Sequence, residues 1–212
     1  MKNKLILVGA GGHCKSVIDS LNSTQYAEIV LVGKSNEVGH IVSGYPVVGT
    51  DDDLKKLYNS GFNMAFITLG SIEKTNGRRK LASLLSEIGF KFPNVIDATA
   101  IVSSKAQLGK GIFVGKLAIV NVDSRIDDFA IINTNAVIEH DSLIGAFSHI
   151  SIGSVVCGSC VIGSDVFVGA NSTIRNNITI GNKAIIAMSS VVINDIKDEV
   201  IVMGNPAREK KL

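Results

Sequence analysis

Aromatic residues are scarce in this sequence: tryptophan is absent, and the aromatic residues together make up 5% of 212 positions. Cysteine and proline occur three times each. An odd, small number of cysteines without an export signal excludes a disulfide-stapled secreted domain and predicts reduced thiols in the cytoplasm. No apolar stretch approaches the roughly 18–20 residues of a membrane-spanning helix, so we expect no membrane span.

Charge is also sparse and nearly balanced. Charged residues make up 19% of the chain and the formal net charge is +2. This balance predicts no basic face for nucleic acid. Hydrophobic residues, by contrast, reach 46%, and glycine supplies 21 positions. The composition favours a core of isoleucine, valine and alanine in one large or two small domains.

The second half of the chain carries an aliphatic residue at every sixth position. From Val102 to Val192, each sixth residue is isoleucine, leucine or valine, and a small residue mostly follows four positions later. Six residues per side and eighteen per coil describe a triangular solenoid with the aliphatic residues inside. The pattern predicts a parallel β-helix over residues 96–193, and the known form of this solenoid is left-handed.

Turn-forming residues often come directly after the aliphatic position of each repeat. We expect them to adopt positive φ at the corners of the solenoid. They are Gly109, Gly115, Asn121, Asp127, Asn133, Gly145, Gly163, Gly169 and Gly181.

Residues 1–92 alternate apolar strand-like runs with helical spacing. This alternation predicts a small Rossmann-like α/β domain with a parallel sheet, joined near Phe92-Pro93 to the solenoid domain at 93–212. The predicted strands are 4–8, 28–32 and 64–69, and the predicted helices are 16–21, 51–58 with Thr50 as N-cap, and 72–88 with Gly89 as C-cap.

A glycine-rich turn, Gly9-Ala-Gly-Gly-His13, follows the first predicted strand and precedes a helix. Such a turn either packs a helix tightly on a strand or holds a phosphate on backbone N–H groups, with His13 and Lys15 as candidate contacts. Two departures from the dinucleotide-binding motif exclude a dinucleotide site here. It needs glycine where Cys14 stands, and an acid after the second strand, where Gly33-Lys34 stands.

Two histidines fall within the solenoid. His140 stands between Glu139 and Asp141, nine residues before His149. A corner histidine beside carboxylates can be held in one tautomer and act as a general base, although an ordinary exposed histidine fits the same pattern. A zinc site shared between subunits needs three histidines, so we expect no metal.

The remaining reactive side chains fit structural roles. Cys157-Gly-Ser-Cys160 has the spacing of half a zinc site but no second pair, and Cys160 falls on an inward position. Arg175 occupies a corner and is expected on the surface, as is His40 in its polar loop.

The chain resembles the sialic acid O-acetyltransferases and the related N-acetyltransferases of UDP-linked 4-amino sugars, which are hexapeptide-repeat acyltransferases. The resemblance covers the whole chain. It rests on the segments 9–15, 133–141, 148–149 and 203–208 together with the hexapeptide array.

The resemblance implies a homotrimer that binds acetyl-CoA in the groove between adjacent β-helices. It implies that His140 is the general base and that Asp141 raises its basicity. His149 would place the thioester. Gly169, Ala170 and Met188 would line the CoA arm, and Gly11, Gly12, His13, Gly70 and Asn133 would contact the sugar nucleotide.

These expectations give one leading hypothesis and two alternatives. The leading one is an acetyl-CoA-dependent acetyltransferase of bacterial surface-glycan synthesis, which N-acetylates a UDP-4-amino sugar directly, without an acetyl-enzyme. The first alternative is O-acetylation of sialic acid or another glycan sugar. The second is a non-catalytic trimeric scaffold that binds a nucleotide. Gly33-Lys34 departs from the acidic pattern of the family and could change the acceptor.

Overall fold

The structure is a computed structural model that describes residues 2–72 and 74–210. The chain divides into two compact units. The first contains residues 2–70 and 76–95, and the second contains the described residues of 71–75 and 96–210. None of the helices in the described residues is long and apolar enough to cross a membrane.

The first unit is a five-stranded sheet with three α-helices. Its elements are β1 (Asn3–Val8), α1 (Gly12–Ser20), β2 (Tyr26–Val32), β3 (Ile41–Val42), β4 (Tyr45–Gly49), α2 (Leu54–Asn59), β5 (Met64–Ile67) and α3 (Asn76–Ile88). The strand order is β3-β4-β2-β1-β5, and all neighbours pair in parallel except the β3–β4 hairpin. The predicted Rossmann-like unit is confirmed.

Sequence reasoning missed the β3–β4 hairpin. Its two-residue loop, Ser43-Gly44, has φ of 48° and 90°. Positive φ at both central residues is the geometry of a type I′ turn, which matches the twist of a two-stranded ribbon. The Ser-Gly pair between apolar residues was the available signal. The helix predicted over 72–88 begins later, at Asn76, and the helix predicted at 16–21 begins earlier, at Gly12.

The second unit is a parallel β-helix with three faces. Face 1 contains β6 (Val95–Ile96), β9 (Phe113–Val114), β12 (Ile131–Ile132), β15 (His149–Ile150), β18 (Phe167–Val168), β21 (Ile185–Ile186), β23 (Ile201–Met203) and β24 (Arg208–Glu209). Face 2 contains β7 (Ile101–Val102), β10 (Ile119–Val120), β13 (Val137–Ile138), β16 (Val155–Val156), β19 (Thr173–Ile174) and β22 (Val191–Val192). Face 3 contains β8 (Gln107–Leu108), β11 (Arg125–Ile126), β14 (Leu143–Ile144), β17 (Val161–Ile162) and β20 (Thr179–Ile180).

Three columns of four-residue corners connect the faces. The first corner joins face 1 to face 2 and includes 133–136, the second joins face 2 to face 3 and includes 139–142, and the third returns to face 1 and includes 145–148. From Val114 to Val192 the aliphatic residue before each corner is buried, whereas Val102 and Leu108 of the first coil are partly buried. The predicted hexapeptide solenoid is therefore confirmed.

The predicted conformation of the corners is wrong. Positive φ falls on the third corner residue, and most of these residues are not glycine: Leu117, Asp123, Phe129 and Asp141 have φ between 56° and 59°. The left-handed conformation costs a non-glycine residue about 1–2 kcal/mol. Hydrogen bonds to the preceding coil stabilise this conformation: the N–H of Phe129 donates to the carbonyl of Lys110 at 2.8 Å, and the N–H of Leu117 donates to the hydroxyl of Thr99.

Glycine at the first corner position instead allows the backbone of the next coil to stack closely against it. A Cβ on Gly163 would lie 2.8 Å from the backbone nitrogen of Asn182, and one on Gly169 would lie 2.5 Å from that of Met188. Both distances are shorter than a real carbon contact. The glycines are therefore required by the backbone of the next coil, which a prediction based on turn preference could not detect.

The last coil is shorter than the others. The backbone N–H groups of Thr179 and Asn182 donate to the carboxylates of aspartates only sixteen residues later, whereas the other coils repeat every eighteen residues. The chain then adds β23 in parallel and β24 antiparallel to face 1. The regular repeat therefore ends with Val192, as the sequence predicts.

Candidate active site

His140 and Asp141 form an ion-pair geometry at the second corner. Nδ1 of His140 lies 2.7 Å from Oδ2 of Asp141, and the two side chains are 50% and 58% exposed. The pair is set by the backbone, because Asp141 has φ of 58° and its N–H is bonded to Val122 of the preceding coil. The hydrogen bond to Asp141 raises the pKa of His140, and the charges of Asp141 and Glu139 add to this.

Glu139 is held beside the pair by the coil before it. Its Oε2 accepts a hydrogen bond of 3.0 Å from Nδ2 of Asn121, and its carbonyl accepts one from Ser124. The second carboxylate therefore has a fixed position near the imidazole. Asn121 was not predicted as a site residue. Its position eighteen residues before Glu139 was the available signal, because residues one coil apart are neighbours in a solenoid.

His149 lies in a different environment, on face 1. It is 8% exposed, and both ring nitrogens are engaged: Nδ1 lies 2.9 Å from the carbonyl of Ser71, and Nε2 lies 3.1 Å from Nδ2 of Asn133. Because a carbonyl only accepts, Nδ1 carries the proton and Nε2 accepts. Oδ1 of Asn133 accepts from the N–H of Thr134, which orients the amide towards the ring. Asn133 and His149 therefore act as one unit.

The residues expected to line the CoA arm lie at the first corner. Gly169 is buried and Ala170 is half-buried. Met188 occupies the same corner position as Ala170 in the next coil, and it is 74% exposed. The column also includes Ile152, which is 53% exposed. These side chains form an apolar ridge. His140, at the second corner, is separated from this ridge by the width of face 2, so a single chain does not bring the two together.

The glycine turn opens onto a cleft of about 620 Å³ in the first unit. Helix α1 starts at Gly12, and Gly11 at its N-cap offers no side-chain hydrogen bond to the first backbone N–H groups. Helix N-termini of this kind bind phosphate. A Cβ at Gly11 or Gly12 would meet no atom within 4 Å, so the approach to the turn is open. Gly70 lies beside His13, with its Cβ position 3.7 Å from that of His13.

Thr68 holds the glycine turn in place, and sequence reasoning missed it. Its hydroxyl donates to the carbonyl of Gly9 at 2.5 Å, and the Thr68 side chain is buried. Gly9 itself has φ of 115°, and a Cβ there would lie 2.6 Å from the side chain of Leu69. Only glycine fits this position.

Acidic residues also line the cleft. Glu37 accepts the N–H of Lys34 at 2.7 Å, and a Cβ on Gly33 would lie 2.7 Å from the same carboxylate oxygen. Asp51 and Asp52 also line the cleft. Burial, and then the neighbouring Asp52, raise the pKa of Asp51. The cleft therefore has carboxylates from later in the chain, although no acid comes directly after β2.

The cysteines have surroundings that fit the predicted structural roles. Cys160 is buried, and its Sγ lies 3.1 Å from the carbonyl of Arg175. Burial raises the pKa of both Cys157 and Cys160, and it raises that of Cys14 to about 11. Among the described residues, no group of three histidine, cysteine or acidic side chains is arranged to hold a metal ion.

Known proteins match both units. The PglD N-terminal domain matches residues 4–84, and the bacterial transferase hexapeptide (six repeats) matches residues 159–194. PerB from Caulobacter crescentus, solved with CoA and GDP-perosamine, is 34% identical, with 99% of this chain and 98% of that chain aligned at a TM-score of 0.92. The acetyltransferase domain of PglB from Neisseria gonorrhoeae FA1090, solved with acetyl coenzyme A, is 33% identical, with 99% and 100% aligned at 0.91.

The chain belongs to the PglD-like hexapeptide acyltransferases. Within this family the likeness to PerB and PglB extends over both units, so the cleft and the solenoid belong to one enzyme architecture. The chain also matches the uncharacterized protein L142 of Acanthamoeba polyphaga mimivirus, with 32% identity over 126 residues. That match involves 59% of this chain and spans about a quarter, 24%, of the viral protein's length.

Proposed function

We propose that this PglD-like acyltransferase transfers the acetyl group of acetyl-CoA to the amine of a sugar that is carried on a nucleoside diphosphate. The observation that carries the proposal is the 2.7 Å contact between Nδ1 of His140 and Asp141, which fixes the imidazole and leaves Nε2, unbonded to the described residues, to accept a proton. The likeness to enzymes solved with CoA, acetyl-CoA and GDP-perosamine supports the donor and the acceptor class.

The mechanism follows from the charge that develops during transfer. The lone pair of the neutral amine attacks the thioester carbonyl carbon, and the carbonyl electrons move to its oxygen. Nε2 of His140 accepts the proton that the nitrogen must lose, so no positive charge stays on the nitrogen as the C–N bond forms. The C–S bond of the tetrahedral intermediate then breaks, and the CoA sulfur leaves and takes the proton. Asp141 stabilises the imidazolium that forms in between.

Direct transfer, without an acetyl-enzyme, is consistent with the thiols of the chain. A nucleophilic cysteine needs a lowered pKa and access to substrate. Burial instead raises the pKa of Cys157 and Cys160, the two cysteines of the solenoid. We therefore assign no covalent intermediate to the enzyme.

The sugar nucleotide binds through the cleft of the first unit in this proposal. The N–H groups at the start of α1 would hold the diphosphate, with Gly11, Gly12 and His13 nearest to it and Gly70 beside His13. We expect the nucleoside of the sugar nucleotide to be uridine. PerB was solved with GDP-perosamine, so guanosine is the other nucleoside to test.

The distance between the two corners supports a homotrimer. His140 lies at the second corner, whereas Gly169, Ala170 and Met188 lie at the first corner, across face 2. The general base and the CoA-binding ridge are therefore too far apart to form one site within a single protomer. They form one site only if the second corner of one protomer meets the first corner of its neighbour. A cyclic trimer achieves this three times with identical contacts. His149 contributes by holding Asn133 at this first corner.

The experiment measures the release of free CoA thiol from acetyl-CoA in the presence of UDP- and GDP-linked amino sugars. The control acceptors are the matching nucleotide sugars with a hydroxyl in place of the amine, together with free and CMP-linked sialic acid. Turnover with an amine acceptor and its loss in His140→Gln supports the proposal. Turnover with hydroxyl acceptors only would replace it with O-acetylation. Binding of nucleotide without binding of CoA would indicate a scaffold.

Histidine variants suit this test because they can separate binding from chemistry. Perosamine N-acetyltransferase from Caulobacter crescentus was solved with CoA and GDP-perosamine bound when one histidine was replaced by asparagine or by alanine. Calorimetric binding of CoA to His140→Gln therefore serves as the control that the variant is still folded and competent to bind.

A further inference from the structure

Gly158 lies directly against the ring of His140, one coil further along the solenoid. A Cβ built on Gly158 would lie 2.7 Å from both Cε1 and Nε2 of His140 and 3.2 Å from its Nδ1. Three ring atoms at such distances mean that the imidazole lies across the space that any side chain at position 158 would fill. The backbone does not require glycine here, because Gly158 is not among the residues with positive φ.

Gly158 differs in this respect from the stacking glycines of the solenoid. A Cβ on Gly163 or Gly169 would meet the backbone of the next coil, which cannot move without disturbing the fold. The three atoms nearest to a Cβ on Gly158 would instead all belong to the end of a half-exposed side chain, that of His140. The missing side chain therefore determines where the ring lies, and it has little influence on whether the coil forms.

We propose that Gly158 is a positioning residue, which allows the imidazole of His140 to lie flat on the next coil and in line with Asp141. The inference rests on the proposed function, in which His140 is the general base. Carbon atoms in contact are about 3.5–4.0 Å apart, so an alanine at 158 moves the ring by about 1 Å or turns it away. A 1 Å displacement of a catalytic group can lower the rate about 100-fold.

The charged groups around the ring determine what a displacement does to its titration. Glu139 and Asp141 flank His140 on its own corner, Asp123 occupies the equivalent of Asp141 one coil earlier, and Cys157 precedes Gly158. The contact of 2.7 Å with Asp141 is the first cause of the raised pKa of His140. A ring displaced from Asp141 loses that hydrogen bond, and its midpoint falls towards the ordinary histidine range.

The test is an NMR titration of the Cε1–H signals of the full-length protein, in which only four histidines contribute. The spectrum of His140→Gln assigns the His140 signal. We expect Gly158→Ala to lower the titration midpoint of His140 and to leave the other histidines unchanged. Gly77→Ala is the matched control, since a Cβ there meets no atom within 4 Å. An unchanged His140 midpoint in Gly158→Ala overturns the proposal.

Kinetics provide a second readout. We expect Gly158→Ala to lower kcat about 10- to 100-fold, with the KM values for acetyl-CoA and sugar nucleotide within about twofold of the wild type. In the Asp141→Asn background the same change has a much smaller effect, because the contact it breaks is already weakened. Equal effects in both backgrounds overturn the inference, and so does a variant that fails to fold, because the argument requires the ring to yield.

The two proposals fail in different ways. If the enzyme does not acetylate amino sugars, the kinetic comparison is lost but the titration of His140 still decides whether Gly158 positions the ring. If the titration does not respond while His140→Gln abolishes turnover, the proposed function stands and the role of Gly158 does not.

Discussion

The two histidines of the solenoid, nine residues apart, have opposite surroundings. His140 is half exposed at a corner, and its Nδ1 lies on the carboxylate of Asp141, while Nε2 makes no hydrogen bond to another of the described residues. His149 is buried on a face, with both nitrogens engaged by Ser71 and Asn133. Nine residues are half a coil, so the repeat places one histidine at a vertex and the other on the face opposite to it. The same side chain is thereby suited to proton transfer in one place and to structural support in the other.

The sharpest test of this contrast is His140→Gln. A general base contributes about 100- to 10,000-fold to the rate, so we expect kcat to fall by that range while the melting temperature stays within about 1 °C. Thiol release and thermal melting measure the two quantities. His40→Gln, an exposed histidine outside the site, is the control and is expected to change neither. A kcat within a factor of three of the wild type would assign the base elsewhere.

Asp141→Asn tests the carboxylate beside the exposed histidine. Asparagine tolerates positive φ, so the corner keeps its conformation while the charge is lost. Because Asp141 raises the pKa of His140, its removal lowers that pKa, and the rise of the rate with pH moves to lower pH. We expect kcat at the plateau to fall about 10- to 100-fold, since a weaker base accepts the proton less readily. A profile that moves to higher pH contradicts the assignment.

His149→Ala tests the buried histidine as a structural residue. The change leaves the amide of Asn133 and the carbonyl of Ser71 without their partner, at a cost of about 2–4 kcal/mol in the free energy of unfolding. Urea denaturation at a fixed protein concentration measures it, with His40→Ala expected to change stability by less than about 0.5 kcal/mol. If His149→Ala abolished turnover without loss of stability, the contrast between the histidines would disappear.

Glu139→Gln is expected to have the smallest effect. Glutamine keeps the acceptor for Nδ2 of Asn121, so the corner is preserved while the second carboxylate is neutralised. The charge of Glu139 is the last of the causes that raise the pKa of His140. The midpoint of the pH–rate profile therefore moves to lower pH by less than in Asp141→Asn, and the rate at the plateau changes by about twofold. A larger movement than that of Asp141→Asn would reverse the ranking of the two acids.

The histidine contrast also marks what sequence reasoning could reach. His140 and Asp141 are adjacent in the chain, so their pairing follows from local geometry and was predictable. The contact between His149 and Ser71 joins residues 78 positions apart, and no periodicity indicates it. Gly158 was passed over for a related reason: its neighbour His140 lies eighteen residues away, and the glycine is easily taken for a turn residue.

The fold was predictable from the sequence in the solenoid, where the same packing requirement recurs every six residues. The solenoid interior admits one aliphatic residue per side, so the six-residue period reports it directly. The corner conformation was mispredicted because the left-handed residues, such as Leu117 and Phe147, are stabilised by hydrogen bonds to another coil and carry no common side chain. A backbone conformation that is stabilised by hydrogen bonds to another coil cannot be recognised from the residue types of the corner itself.

The shortened final coil has a consequence for assembly. A solenoid of identical coils has a sheet edge at its end, with unpaired N–H and C=O groups that could template end-to-end polymerisation. Here Ile196 pairs with Ile180 two residues out of step with the other coils, and the next strand on face 1, β24, runs antiparallel. A second molecule approaching this end meets a surface whose spacing and strand direction no longer match its own coils, so filament growth is discouraged by geometry alone.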